Sequence, residues 1–119
     1  MRDESLYLAD IIEAAEAIGR FTAGMSEDDW LEDEIRQSAV MHQLIVIGEA
    51  AARLSKEFRG RHSEIEWADI VGFRNFAVQA YFAVSWPVVW VTATQDVPIL
   101  AARIARILAE DSPSSEATN

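Results

Sequence analysis

Apolar residues recur at three- and four-residue steps along most of this chain, and this spacing limits the folds that are open to it. In the first segment, roughly residues 3–21, acidic side chains separate the members of such an apolar series. The pattern is typical of an amphipathic helix. The members of the series are Leu8, Ile11, Ile12, Ala15, Ile18 and Phe21.

A second helical pattern covers residues 27–58, either as one helix or as a short helix followed by a long one. Ser26 is the expected N-cap of this pattern, with Asp29 at the capping-box position. Gly60 and its polar neighbours indicate a loop, and a third helix is expected over residues 67–78. The candidate core residues of the second pattern are Trp30, Leu31, Ile35, Val40, Leu44, Ile47, Ala51, Leu54 and Phe58.

Two further helix starts are predicted near the carboxyl end. Ser85 is a good N-cap, and Asp96 is a second start signal because Pro98 follows it in the first turn, where proline is tolerated. We therefore expect consecutive helices over residues 88–94 and 97–109, with a kink between them.

These segments together predict an all-α protein, an up-and-down bundle of four or five helices. Glycine and proline are few, at five and three residues, and no strand-like alternation persists. We expect one helical domain over residues 1–110 and a disordered tail over residues 111–119, which is rich in Ser, Pro, Glu and Thr. Apolar residues lie on more than one side of the second pattern, which favours a homodimer.

Charge and cysteine content exclude several classes of function. The chain has no cysteine, which excludes disulfides, thiolate metal sites and a cysteine nucleophile. No apolar amino-terminal segment and no run of membrane-spanning length occurs, so a cytoplasmic protein without a membrane association is expected. The formal net charge of -10 means that a nucleic acid needs a local positive site to bind.

The charges are unevenly distributed. Residues 27–34 form a dense acidic run, whereas Arg53, Lys56, Arg59 and Arg61 lie within one short basic segment. Solvated helix surface is the simplest interpretation of both. The alternative makes the acidic run a docking face for a basic partner and the basic segment a contact for an RNA backbone.

Within residues 73–82 an arginine and a tyrosine interrupt an apolar run. An unbroken helix would place Arg74 and Tyr81 on one face, whereas a break near Ala77 or Val78 could bring Arg74 and Gln79 together. Arg74 could also have a structural role, paired with a nearby carboxylate such as Asp69 or Glu66. Tyr81 could in turn be an amphipathic core residue, and Asn75 could cap a helix end.

Five separated motifs resemble the HepT branch of the HEPN superfamily over roughly residues 3–110. They are Phe21-Thr22-Ala23-Gly24-Met25-Ser26, Ile47-Gly48-Glu49-Ala50-Ala51, Trp67 to Asn75, Tyr81-Phe82 and Val89-Trp90. The resemblance implies an HEPN-like helical bundle and a homodimeric, metal-independent ribonuclease without a cofactor. It also implies a toxin, in a type VII-like toxin-antitoxin system, that is paired with a nucleotidyltransferase-type antitoxin.

The same resemblance assigns roles to individual residues. The family's motif is an arginine, four variable residues, a histidine, one residue and a tyrosine, and it begins here at Arg74-Asn75. Arg74 would contact the scissile phosphate, and Asn75 would help to orient the site. Tyr81 falls on the tyrosine that the antitoxin can adenylylate to silence the toxin.

The histidine of the motif is replaced by Gln79 in this chain. An imidazole can accept and return a proton near neutral pH, whereas a carboxamide can only form hydrogen bonds. We therefore expect a weak or inactive ribonuclease. The alternative is a catalytically inactive module that pairs with the antitoxin; a nucleotide-binding regulator has little support, since no phosphate-binding loop is present.

The two histidines do not form a metal-binding pair. His42 has no second histidine one turn away, which favours a structural or surface role, and His62 lies in the basic segment, where we expect it to be solvent-exposed. The acidic run lacks the spacing of a calcium loop. No metal site is predicted from the sequence.

Overall fold

The helices of the computed structural model begin and end at residues that the sequence explains, and residues 3–111 are described. Helix α1 spans Glu4–Thr22 and begins after Asp3, whose side chain accepts a hydrogen bond from the Ser5 N–H. Gly24 follows the helix with a φ of 76°, a left-handed conformation that glycine adopts without strain. The amphipathic helix predicted for the first segment is therefore confirmed.

The second helical pattern forms three helices rather than one or two. They are α2 (Glu27–Leu31), α3 (Glu34–Arg53) and α4 (Lys56–Arg61). The capping box of Ser26 and Asp29 is present at the start of α2. Gly60 lies inside α4, and the predicted loop begins two residues later, over residues 62–66. A further break falls at Leu54 and Ser55, because the Ser55 side chain caps α4.

The third helix, α5, spans Trp67–Gln79, and a 3₁₀ turn over Tyr81–Ala83 follows it. Helix α6 (Trp86–Val91) begins at Ser85, whose Oγ accepts a hydrogen bond from the Val88 N–H at 3.4 Å. The predicted N-cap at Ser85 is therefore confirmed.

The helix predicted from residue 97 begins there, but Asp96 does not cap it, so that start signal is wrong. Residues Thr92–Asp96 form a π-helical turn that joins α6 directly to α7, which spans Val97–Asp111. The Val97 N–H bonds to the Thr92 carbonyl, five residues back, so the chain stays helical through this region. Pro98 has no N–H to donate to the backbone hydrogen bonds of the helix. The wider π turn before it changes the spacing of these hydrogen bonds, and the chain remains helical.

The described residues form an all-α bundle without a strand. Helix α1 packs along α3 and α7, and α3 packs along α5 on its other side. Within residues 3–111, no helix is both long and apolar enough to cross a membrane. The tail predicted from residue 111 lies outside the described residues apart from Asp111, which ends α7.

The core follows the predicted apolar series except at the start of α3. Leu31 is 42% exposed and Ile35 is 80% exposed, so their assignment to the core is wrong. Leu31 ends α2 and Ile35 is the second residue of α3, so both flank the short connection between the two helices. The other candidate core residues of that pattern are buried: Trp30, Val40, Leu44, Ile47, Ala51, Leu54 and Phe58.

Trp30 anchors α2 to α6. Its side chain is fully buried, its indole N–H donates to the Trp86 carbonyl at 2.9 Å, and its ring lies 5.6 Å from that of Trp90. The buried Gln37 amide donates to the Trp30 carbonyl at 2.9 Å. These contacts fix the residues just after Tyr81 against the start of α3, which determines where the candidate site lies.

Candidate functional site

The end of α5 decides the geometry of the candidate site. The helix ends at Gln79, and Ala80 leaves it with φ -138° and ψ 47°. Arg74 and Tyr81 therefore do not share an unbroken helix. Arg74 and Gln79 lie on the same helix, α5, but five helical steps place their side chains about 140° apart around its axis. These two side chains therefore do not converge either. Asn75 and Gln79, one turn apart, are both exposed along one side of α5.

Arg74 lies at the closest approach of α3 and α5. A Cβ built on Gly48 would overlap the Arg74 Cβ and lie 2.8 Å from its Cγ, so only glycine fits there. The Arg74 Nη1 donates a hydrogen bond to Glu49 Oε1, which is also its ion-pair partner. The alternative that Arg74 pairs with a carboxylate is therefore confirmed, but the partner is Glu49 and not Asp69 or Glu66.

The environment of Arg74 leaves part of its guanidinium available. Its side chain is 21% exposed and that of Glu49 is 45% exposed, so the pair is in contact with solvent. The Nε atom is buried and has no hydrogen-bond partner among the described residues. Since a guanidinium carries five N–H donors, Arg74 can bind Glu49 and an incoming anion together.

Tyr81 contacts α3 at a second place. Its hydroxyl donates to Ser38 Oγ at 3.2 Å, and its ring packs edge-to-face on Trp86 with centroids 5.9 Å apart. The side chain is 39% exposed. The hydroxyl is therefore held at the surface as expected, but the assignment of Tyr81 to the core is wrong.

The basic segment begins at the Arg74 end of the groove between α3 and α5. Arg53 is the last residue of α3 and lies one turn after Glu49, while Lys56, Arg59 and Arg61 are on α4. Three of the four are exposed; Arg59 is half-buried, and its Nε has no hydrogen-bond partner in the described part of the chain. The structure thus places a positive surface next to the candidate site.

The histidines occupy different environments. His42 is exposed on α3. His62 is half-buried, because its ring packs 4.6 Å from that of Phe58 and its Nδ1 lies 3.8 Å from Glu64 Oε2, so its predicted exposure is wrong. Among residues 3–111, no group of His, Asp and Glu side chains is arranged to hold a metal ion.

The sequence model of the family described as "Ribonuclease HepT-like" matches residues 11–107 of the chain. The chain belongs to the HepT-like ribonuclease family. It is 36% identical over 106 residues to a Thermococcus cleftensis protein named "Probable ribonuclease HepT", a match that covers 89% of this chain and 96% of that protein.

Two further relatives are RNases by name. A Caldanaerobacter subterraneus subsp. tengcongensis protein named "Putative RNase TTE0752" is 32% identical over 111 residues, or 93% of this chain and 99% of that protein. The Methanocaldococcus jannaschii protein named "Gamma-glutamylcyclotransferase and putative RNase MJ0434" is 32% identical over 109 residues, and the chain spans only 49% of its length. No solved structure matches the chain.

Two contact residues of the site were missed by sequence reasoning. Glu49 belongs to one of the five motifs, but its pairing with Arg74 depends on the register between α3 and α5. Ser38, the partner of Tyr81, carries no signal of its own. Only a prediction of which helices pack together could have found them.

Proposed function

We propose that this chain is the ribonuclease toxin of a type VII-like toxin-antitoxin pair, a cytoplasmic, metal-independent RNA endonuclease with impaired cleavage. One observation carries the proposal: Arg74 is a partly exposed guanidinium fixed beside the exposed Asn75 in a chain of the HepT-like ribonuclease family. A fixed cation at the surface is suited to binding the phosphate of an RNA backbone.

The chemistry follows from the residue types at this site. Arg74 neutralises the scissile phosphate, and Asn75 orients it through hydrogen bonds. A 2′-hydroxyl then attacks the phosphorus, which requires that its proton be accepted by a base. Gln79 has no such capacity, since a carboxamide does not accept a proton near neutral pH. Cleavage that depends on position 79 is therefore weak in this chain.

The proposed regulator is a nucleotidyltransferase-type antitoxin that adenylylates Tyr81. The accessible Tyr81 hydroxyl and its placement beside Ser38 support this role, because the phenol is held in one orientation. An adenylate there would add a negative charge at the groove between α3 and α5. That charge would repel an RNA backbone and so silence the toxin.

A homodimer is the proposed assembly. Exposed apolar side chains follow Arg74 along the chain: Phe76 is 48% exposed, Val78 is 61% exposed and Phe82 is 92% exposed. A second copy that covers this surface would bring two Arg74 side chains toward one cleft. Two guanidinium groups would then offset the net charge of -10 where RNA binds.

The test is the substitution Gln79→His. Restoring an imidazole should raise cleavage of single-stranded RNA in the presence of EDTA by about two to four powers of ten and inhibit growth on expression. The matched control is the double variant Arg74→Ala with Gln79→His, which should be harmless and inactive. A folded Gln79→His protein that cleaves no RNA would refute the nuclease proposal.

A second candidate function is a binding module that keeps the bundle and the antitoxin contact without catalysis. Gln79 is the observation that favours it. This candidate expects a stable complex with the nucleotidyltransferase and no cleavage by Gln79→His. The two candidates therefore give opposite results in the same assay.

A further inference from the structure

His42 lies on the same face of α3 as the two residues that bond to the candidate site. Helix α3 is continuous from Glu34 to Arg53, so the rotation of 100° per residue applies throughout. Ser38, His42 and Glu49 fall within a sector of about 40°. Along the helix axis, His42 is about 6 Å from Ser38 and about 10 Å from Glu49.

That face of α3 borders α5. Glu49 bonds to Arg74 and Ser38 bonds to Tyr81, so α5 runs antiparallel to α3. The two hydrogen bonds cross the groove between the helices at different levels along the α3 axis. His42 lies between these levels on α3, as Gln79 does on the α5 side. An imidazole is thus present on the α3 wall of the groove, at a level between Arg74 and Tyr81, whereas Gln79 on α5 is rotated away from Arg74.

The environment of His42 suits a proton acceptor. Its side chain is exposed, and no described residue forms a hydrogen bond or an ion pair with it. The other imidazole, that of His62, packs on Phe58 in α4 and belongs to a different part of the surface. His42 is therefore the histidine that a substrate in the groove can reach.

We propose that His42 is the catalytic proton acceptor of the Arg74 site and takes the part that Gln79 cannot perform. This inference rests on the proposed ribonuclease function. His42 and Glu49, which holds Arg74, are about 10 Å apart along the α3 axis, and the His42 and Arg74 side chains extend from facing helices, so both can reach one RNA linkage. Arg74 binds the phosphate, and the His42 imidazole faces the attacking ribose.

The proposed step conserves atoms and charge. The neutral His42 imidazole takes the proton of the 2′-hydroxyl as the bond from O2′ to phosphorus forms and the bond from phosphorus to O5′ breaks. The leaving O5′ takes a proton from water, and the imidazolium returns its proton to the resulting hydroxide. The products are a 2′,3′-cyclic phosphate and a 5′-hydroxyl, and no electron is transferred.

The experiment measures the residual cleavage of single-stranded RNA by the full chain with EDTA present. His42→Ala should lower it at least about 100-fold, which is the lower range for loss of an acid-base group. Added imidazole should restore a substantial part of the rate to this variant, since the site is open to solvent. A structural effect of the substitution would not respond to imidazole.

The matched control is Gln43→Ala. Gln43 is the next residue of α3, but it faces the α1 side, where it lines a surface depression with Asp10, Glu13 and Arg20. Its substitution should leave cleavage unchanged and should not respond to imidazole. A second variant, His42→Gln, keeps a polar side chain of similar size and should be as impaired as His42→Ala.

Failure of this inference can be told from failure of the proposed function. One set of results refutes the role of His42 but supports the ribonuclease proposal: Gln79→His cleaves RNA, and the parent chain either does not cleave it or cleaves it equally well after His42→Ala. If His42→Ala loses activity and imidazole restores none of it, the role is also refuted. If neither the parent chain nor Gln79→His cleaves, both proposals fall.

Discussion

At the scale of single residues, Arg74 and Glu49 form a pair whose contribution lies in orientation more than in stability. Both side chains reach solvent, at 21% and 45% exposure. Ion pairs of this kind stabilise a fold by about 0–1 kcal/mol. Glu49 instead limits the rotamers of Arg74, and its carboxylate competes with any phosphate that approaches the guanidinium.

Glu49→Gln separates these two effects, because the amide keeps an oxygen acceptor and loses the negative charge. We expect the free energy of unfolding to change by less than about 1 kcal/mol. Affinity for a 2′-deoxy oligonucleotide, which cannot be cleaved by attack of a 2′-hydroxyl, should rise about fivefold as a repulsion of about 1 kcal/mol is removed.

Fluorescence anisotropy titrations at several salt concentrations measure this affinity. Glu13→Gln on α1 is the control, since it makes the same change in net charge on a different surface and should leave the affinity nearly constant. If Glu49→Gln instead weakens binding as much as Arg74→Ala, the carboxylate mainly holds the arginine in place.

At the scale of elements, local sequence predicted the helices and failed where contacts between helices decide the outcome. Ser26 and Ser85 begin helices as expected, because a capping side chain bonds only to nearby backbone. Asp96 and Pro98 carried the same local signal, and α7 does begin at Val97, yet Asp96 lies in a π turn and does not cap the helix. Packing of α7 and of the π turn itself on α1 compensates for the missing proline donor.

The candidate site could likewise be predicted only in part from the sequence. The resemblance identified the positions of Arg74, Asn75, Gln79 and Tyr81, and their roles stay predictions. The partners Glu49 and Ser38 could not be read from the sequence, since they depend on how α3 and α5 align. Asp69 was the natural choice for Arg74 only because it is close in sequence.

Gly48 controls that alignment, and a pair of alanine substitutions tests it. Gly48→Ala should lower the free energy of unfolding by about 1–2 kcal/mol, because an overlap with Arg74 costs about 1–3 kcal/mol and alanine regains up to about 1 kcal/mol in helix propensity. A Cβ on Gly72 in α5 would meet open space, so Gly72→Ala should raise the free energy of unfolding by up to about 1 kcal/mol.

Urea denaturation of both variants gives the two values under the same conditions. Gly48→Ala should also lower the affinity for RNA, since Arg74 must move away from α3. Equal stabilisation by the two substitutions would show that α3 and α5 do not approach as closely as the structure has them.

At the scale of the whole molecule, an acidic protein must bind RNA through a restricted surface. The basic segment of Arg53, Lys56, Arg59 and Arg61 starts one turn beyond Glu49, so it extends the positive surface at Arg74 along α4. The acidic run of residues 27–34 lies around the start of α3, at the opposite end of that helix. This separation of charge favours RNA binding at the Arg74 end of the groove over the acidic end.

The proposed homodimer would be formed by the apolar surface after Arg74, and Phe82→Ser tests the role of that surface. With 92% exposure, Phe82 contributes little to the fold of one chain, so its loss should not change the thermal unfolding midpoint of the monomer. Burial of the Phe82 side chain in each of two copies would stabilise the dimer by about 1.5–3 kcal/mol per copy. Phe82→Ser should therefore raise the dimer dissociation constant by at least about 100-fold.

Sedimentation equilibrium over a range of concentrations measures that constant. Ile99→Ser is the matched control, because Ile99 is 55% exposed on α7 and its substitution removes a comparable apolar side chain outside the proposed interface. Equal effects of the two substitutions would mean that the interface lies elsewhere. In the Gln79→His background, Phe82→Ser should lower RNA cleavage in parallel with dimerisation, since a cleft that needs two Arg74 side chains is lost when the copies separate.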